Sequence, residues 1–422
     1  MGMSINNIRL NKKTVGFGVL GILWLLAFGW GLWGVWVRIF FGHELANYGS
    51  YVVWGLWVSG YIYFIGLSAG AFLLSSLIYV FASKELEAIG KLSLFVAVIT
   101  LLMALISIWF DLGHMERFYY IFTRPNFQSM MAWMVWLYTG YFLLLLAENW
   151  FAFRPDFVRW ANEETGWRRA VAKVVLFGRT TEKAGSAALN RKTLRILGSV
   201  GIPLAIAFHG GVGALFGTVL ARPYWNTPLY PIMFLTGALV SGGALMTATV
   251  AFFWPKDHAS FIPILRRLGR IVLVLLVFDV LLEWAEFSIP MWYGIGQETE
   301  LLRQVLFGPY WWVVWVLHIG LGVVVPLILL SEKPKNAKAV GSACALIAVT
   351  FMAVRLNIVV PGLVTPELEG LQHAFVDQRL VFSYVPSAFE WAVMSFIVSL
   401  GLALFLLGYK YLPVSGVREV RP

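Results

Sequence analysis

The sequence predicts an all-α integral membrane protein with ten membrane-crossing helices. Three observations predict it. Of 422 residues, 59% are hydrophobic and 13% charged, whereas a soluble domain is about half apolar and a quarter charged. The apolar residues gather into ten runs, each near the roughly 20 residues that a helix needs to cross the hydrocarbon. The basic residues gather in alternate gaps between those runs. A mean hydropathy of +0.77 agrees. Soluble-enzyme, nucleic-acid-binding and disordered classes are thereby excluded, and the net charge of +10 is read first as a topology signal.

The runs lie near 15–41, 52–83, 92–110, 130–150, 194–220, 229–254, 271–293, 309–331, 337–359 and 388–411. None alternates at the strand period, so a β-barrel is not expected. The first run is too long for a signal peptide and has no small-residue cleavage site behind it, so it is expected to stay as a helix. A single cysteine, Cys344, leaves no set for iron–sulfur ligation, CxxCH haem attachment or an internal disulfide.

Orientation follows the cations. Arg9, Lys12 and Lys13 precede run 1, Lys84 and Lys91 lie between runs 2 and 3, and Lys256, Arg266, Arg267 and Arg270 between runs 6 and 7. The segment 154–193 between runs 4 and 5 is the most basic of all. The gaps on the opposite side are close to neutral. Both termini are therefore expected in the cytoplasm, and the basic segment reads as a topology anchor or lipid contact.

The chain 1–422 is one membrane domain. Within it, Ser68-Ala69-Gly70-Ala71 in run 2 and Ser241-Gly242-Gly243-Ala244 in run 6 are similar small-residue patches. Such patches let helices approach closely. Duplicated four-helix units at 52–220 and 229–359 and chance recurrence both fit the pair.

Run 7 carries Asp279, Glu283 and Glu286 at i, i+4 and i+7, hence on one helix face. An ionised carboxylate in hydrocarbon is costly, so these groups are expected to face the bundle interior or water. A ladder of this kind suits proton hopping; hydrogen bonding between helices is the structural alternative. Glu148 in run 4 and Glu390 in run 10 are further intramembrane carboxylates on the candidate proton path. Two histidines, His209 in run 5 and His318 in run 8, are clearly intramembrane. They fit three uses: axial ligands of a b-type haem, a hydrogen bond and proton exchange with a quinone, or contact between helices. Arg355 is a lone cation in run 9 and needs a partner, with the run 7 carboxylates, Glu390 and Asp111 as candidates.

Polar motifs collect at the side opposite the basic segment. After run 3 come Asp111-Leu112-Gly113-His114-Met115-Glu116-Arg117-Phe118, Arg124-Pro125-Asn126 and Ser129. After run 5 comes Arg222-Pro223-Tyr224-Trp225-Asn226-Thr227-Pro228, and before run 10 Tyr384-Val385-Pro386-Ser387. Plain turn chemistry accounts for some of these residues. Polar groups converging among aromatics are also what a quinone headgroup needs.

The ordered motifs resemble the NrfD/PsrC family, the membrane subunits of polysulfide reductase-like respiratory complexes. Asp111-Leu112-Gly113 with Glu116-Arg117-Phe118 is similar to that family's Asp-Leu-Gly-Arg-Pro-Glu-Arg-Phe signature. Arg222 to Pro228 and the run 6 patch are similar to it too. The His209 surroundings, Arg355-Leu356-Asn357 and Tyr384 to Ser387 most resemble its ten-span branch of HybB-, DsrP- and HmcC-type subunits. His114-Met115 departs from the family's Arg-Pro and makes His114 a candidate site residue.

The resemblance covers essentially the whole chain. It implies two four-helix bundles, runs 2–5 and 6–9, with two flanking helices. It implies a subunit of the prokaryotic cytoplasmic membrane, in contact with lipid and with no nucleic acid, that binds quinone near the outer face. Menaquinone is favoured, and no haem or iron–sulfur cluster is expected in the chain itself. Electrons would pass to or from a ferredoxin-like iron–sulfur subunit on the outer face, and onward to redox subunits of cytochrome or molybdopterin/hydrogenase type. Alone the chain would not be catalytic. Carried onto this sequence, the quinone site points to His209 and Asp111, with His114, Tyr224, Asn226 and Arg355 alongside. The run 7 carboxylates resemble a proton path. A b-type cytochrome with His209 and His318 as ligands, and a secondary transporter, are the readings from other classes.

Overall fold

The computed structural model describes residues 12–83, 85–181, 186–368, 370–377 and 379–414. Arg9, Lys84 and residues 182–185 of the basic segment lie outside the described residues. No strand occurs among the described residues.

Ten long helices follow one another: α1 (Lys12–Phe41), α2 (Leu56–Val80), α3 (Gly90–Asp111), α4 (Met130–Glu163) and α5 (Ser186–Gly217). Then come α6 (Tyr230–Phe253), α7 (Phe261–Tyr293), α8 (Val313–Glu332), α9 (Ala337–Val364) and α10 (Ala388–Tyr411). Nine of them are long and apolar enough to cross a membrane among the described residues. The tenth is α7, whose 33 residues include the three carboxylates and Arg266, Arg267 and Arg270.

Most helix ends fall where the apolar runs end. The exceptions are α4, α5 and α7, which extend past the runs on the basic side. Hydropathy marks only the part in lipid, whereas Arg, Lys and Glu sustain a helix beyond it. Most of the segment 154–193 is accordingly helical, including a short helix Trp167–Val175.

Caps fix several starts. Ser129 accepts from Met131 N at 3.3 Å, and Asn336 accepts from Lys338 N at 3.0 Å. Ser387 and Glu390 form a reciprocal capping box at α10.

The helices pack in two closed rings. In one, α2 lies on α3, α3 on α4, α4 on α5 and α5 on α2. In the other, α6 lies on α7, α7 on α8, α8 on α9 and α9 on α6. The rings meet along α2, α5, α6 and α9, while α1 and α10 pair and rest on α3. The tightest meeting point is Gly70 of α2 against Gly242 of α6. A methyl on Gly242 would sit 2.6 Å from Gly70 Cα, and one on Gly70 2.8 Å from Gly242 Cα. Only hydrogen fits at both positions.

Candidate functional site

Two groups of interior polar residues stand out, a seam that runs from the contact between the rings into the second ring, and a rim at one end of the bundle. In the seam, α7 turns Asp279, Glu283 and Glu286 inward while Val274, Val277, Phe278, Leu281 and Trp284 are exposed on its opposite side. Each carboxylate has a partner from another segment. Asp279 Oδ1 accepts from Thr236 of α6 at 2.8 Å. Glu283 meets His318 Nε2 of α8 at 2.7 Å. Glu286 accepts from Thr227 at 3.1 Å.

His318 stands in the middle of a π-helical stretch, Val313–Val324, which gives way to α-helix at Val325. Pro326 follows at once and has no N–H to donate, so the ladder cannot run regularly across it. The wider i→i+5 turns are rare and collect at functional sites.

Arg355 of α9 lies across the seam from this ladder. Its guanidinium stacks over Phe234 at 4.5 Å and Phe351 at 5.2 Å from the ring centroids. Asp279 and Glu283 are the charges that act on it most strongly, yet neither makes an ion pair with it. Gly237 and Gly66 leave room for it: a methyl on Gly237 would lie 3.0 Å from Nη2. His209 of α5 is fully buried, beside Phe208 and Phe234, and Arg355 is the charge that acts on it. Arg355 Nε and Nη2 are buried nitrogens without a hydrogen-bond partner, and neither ring nitrogen of His209 closes a well-formed hydrogen bond, the Phe234 backbone being the polar group that acts on its ring. Unsatisfied buried polar groups each cost about 1–3 kcal/mol, more when charged, so such groups on two neighbouring side chains mark a site.

The rim is assembled by α1, the segment after it, the end of α3 and the start of α10. Arg38 donates from Nε to Phe110 O at 2.7 Å and from Nη2 to Leu112 O, holding the end of α3. Glu390 is saturated: Tyr384 donates to Oε1 at 2.5 Å, and Ser387 N and Asn47 N donate to Oε2 at 2.9 and 3.1 Å. The Tyr384 hydroxyl also accepts from Leu56 N at 2.7 Å. Asp111 Oδ1 and the Tyr48 hydroxyl are buried without partners. His43 packs on Tyr48 and Trp57, and burial, with Arg38 adding, lowers its pKa to about 4.

Tyr224 and Trp225 make bonds to the backbone of α9. Pro361 inside α9 cannot donate to the carbonyl four residues earlier, that of Asn357. The Tyr224 hydroxyl donates to Asn357 O at 2.8 Å, and the Trp225 indole to Ile358 O at 2.7 Å. Tyr224 thus replaces the hydrogen bond that the proline removes from α9, and Trp225 adds one at the next carbonyl. Arg222 beside it pairs with Glu367 at 2.9 Å and donates to Thr365 O at 2.8 Å. Burial lowers the Arg222 pKa and Glu367 opposes that shift.

The remaining sequence candidates are dispersed. His114 is exposed and bonds Glu116 at 3.0 Å; Asn226 is exposed as well. Glu148 is buried in the first ring, where a methyl on Gly198 would lie 3.6 Å from its Oε1 and 3.9 Å from Ser76 Oγ. The structure brings His209, Arg355, Asp279, Glu283 and Glu286 to one seam and adds His318. It leaves Asp111 and Glu390 together at the rim. Sequence reading missed Arg38, Tyr48 and His43. Arg38 carried a signal, being a cation at the end of run 1 that is not expected to be basic. Thr236 carried none, because threonines in membrane helices commonly bond their own backbone, and Thr227 stood out only as part of the motif after α5.

Long apolar helices closed around a buried polar seam define a multi-pass membrane protein. A family model described as polysulphide reductase, NrfD, matches residues 44–367, and the chain belongs to that family. It is similar to a selenate reductase subunit of Mesobacillus selenatarsenatis, 35% identical over 95% of this chain and 94% of that protein. The Hdr-like menaquinol oxidoreductase integral membrane subunit of Archaeoglobus fulgidus is 26% identical over 87% of each. The menaquinone reductase integral membrane subunit of Nitratidesulfovibrio vulgaris is 22% identical over 92% of this chain and 89% of that one.

Proposed function

We propose that this chain is the quinone-interacting membrane anchor of a respiratory oxidoreductase, with ten spans, both termini on the basic side, and two four-helix units flanked by α1 and α10. The observation that carries the reading is the pair of unpartnered Arg355 nitrogens with His209, whose ring closes no well-formed hydrogen bond, set beside a carboxylate–imidazole ladder. The names of the menaquinol and menaquinone relatives support it.

The residues fit a quinone headgroup. A quinone supplies a carrier of two electrons and two protons, with ring oxygens that accept hydrogen bonds. His209 and Arg355 are donors whose N–H groups close no well-formed hydrogen bond at these nitrogens, and the stacked faces of Phe234 and Phe351 line the apolar side. Arg355 keeps its proton and acts as fixed charge. His209 is the group able to exchange one. Asp279 follows, then the Glu283–His318 pair, then Glu286 with Thr227, each held by a neighbouring segment. A proton moved along α7 in that order travels along the bundle. Asp111 and Tyr48 at the rim, with two unpartnered oxygens, form a second exchange point near the exit. Electrons pass directly to or from an iron–sulfur subunit docked at the rim side. A b-type cytochrome is disfavoured because Glu283 occupies His318 Nε2, one of the two nitrogens an iron would take.

His209→Leu tests the assignment in the purified complex. The expected result is loss of quinol-linked electron transfer, with assembly and partner content unchanged. Normal turnover would remove His209 from the site. Full activity of the chain without any redox partner would replace the anchor reading with a transporter.

A further inference from the structure

We propose that the short helix Trp167–Val175 lies in the lipid interface on the basic side of the bundle and binds anionic phospholipid headgroups.

Its faces are sharply divided. Trp167, Val171 and Val174 recur at i, i+4 and i+7 and are 52%, 40% and 75% exposed, and Phe177 just beyond is 83% exposed. Ala172 and Leu176 are buried against the bundle. Arg169 and Lys173 are exposed on the side opposite the apolar stripe, and neither has a partner among the described residues. At 100° per residue the apolar stripe is open on one side, and the open cations adjoin the protein-facing residues on the other. A water-facing helix does not carry such a stripe, whereas an interfacial helix does.

The anchoring contacts place the helix at the membrane boundary. The Trp150 indole donates to Val175 O at 3.0 Å. Trp150 is 20 residues into α4, about 30 Å from its start, which is the thickness of the hydrocarbon. Trp167 packs edge-on against Tyr411, the last residue of α10, at 5.7 Å. Arg168 is fixed by Glu164 at 3.2 Å and by the faces of Trp160 and Trp167. The stripe therefore meets acyl chains at the depth where headgroups begin, and Arg169, Lys173 and exposed Arg179 stand at the headgroup level. Charge complementarity selects anionic over zwitterionic lipid. Basic residues on this side would thus serve two ends, orientation during insertion and retention of a specific lipid afterwards.

The test uses the full chain. Its one cysteine, Cys344, is buried, so Cys344→Ala clears the background. Val174→Cys carries an environment-sensitive fluorophore, with Val171→Cys as a second position should the first fold poorly. Each protein is reconstituted into phosphatidylcholine vesicles with and without phosphatidylglycerol, with brominated acyl chains as quencher. Expected are blue-shifted emission quenched by the brominated chains, and enrichment of phosphatidylglycerol around the probe that high salt removes. Arg169→Gln with Lys173→Gln should lower that lipid preference about thirty-fold, the loss of two surface charges. Water-like, unquenched emission in both vesicle types, as when a soluble partner protein covers the face, would overturn the proposal. Quenching indifferent to lipid charge and to the double substitution would overturn its anionic part.

Discussion

Glu390 at the rim and the His209–Arg355 pair in the seam are both buried and polar, yet they differ in how their hydrogen bonds close. At the rim, Glu390 has both oxygens occupied and forms the first turn of α10. In the seam, Arg355 keeps two nitrogens open and His209 closes no well-formed bond, beside carboxylates that neutralise neither. A saturated buried carboxylate holds its neighbours in place. An unsaturated buried cation is held there at a cost of several kcal/mol unless something else compensates it. Glu390 and Glu283 look alike in the sequence; their partners separate them.

The largest expected effect attacks the seam. His318→Leu leaves Glu283 buried without its partner, and breaking such a pair costs about 3–5 kcal/mol. Loss of the folded protein from detergent extracts is expected, with recovery in the double variant His318→Leu/Glu283→Gln. No recovery would mean that His318 supports the fold by packing alone. Arg355→Met should keep the fold better and lower the quinone-linked rate roughly 100- to 1,000-fold, the range for removing a preorganised donor. Arg355→Lys should restore only part of it, since the ammonium lacks the planar fork. An unchanged rate in Arg355→Met would make the seam a structural element, as the capping contacts of Glu390 are.

At the rim the expected pattern is the reverse. Glu390→Ala should lower thermal stability by about 2 kcal/mol, through a lost cap and stranded donors, while turnover per folded molecule stays normal. A turnover defect in the milder Glu390→Gln would move the rim into the proton route. Tyr224→Phe strands Asn357 O, the carbonyl that Pro361 cannot reach, and should cost about 1–3 kcal/mol, measured by thermal unfolding, with α9 the element that loosens.

The smallest effect is pH-dependent. His43 has a pKa lowered to about 4 in the folded chain, against 6.5 unfolded. The unfolded state binds the extra proton, so stability from neutral His43 is full above about pH 6.5 and fades as the pH falls toward 4. His43→Gln should flatten the acid side of the stability profile in that window. An unchanged profile would mean that His43 is hydrated.

Much of this fold was legible from hydropathy and period. Helix positions followed from apolar runs, and the inward face of α7 followed from the i, i+4, i+7 spacing of Asp279, Glu283 and Glu286. The extensions of α4, α5 and α7 were hidden, because a hydropathy window ends where lipid ends and a helix need not. The candidate site was half legible. His209, Arg355 and the carboxylates stood out as lone polar groups in apolar runs. Their grouping did not, because residues 209, 279 and 355 are joined only by the packing of four helices. Tyr224 was noticed for the right neighbourhood, while its bond to the carbonyl freed by Pro361 needed the fold. The π-helical turns around His318 were invisible, since backbone register has no residue signature beyond Pro326.

Gly70 and Gly242 meet backbone to backbone, one helical turn from Gly66 and Gly237, which make room for Arg355. Contacts between side chains absorb small disturbances by changing rotamers. A contact between two glycine backbones has no such cushion. A displacement of α2 or α6 at this point would therefore be passed to the partner helix rather than absorbed. The two rings are coupled there as by a bare axle, with lubrication removed and play reduced to the width of a hydrogen atom.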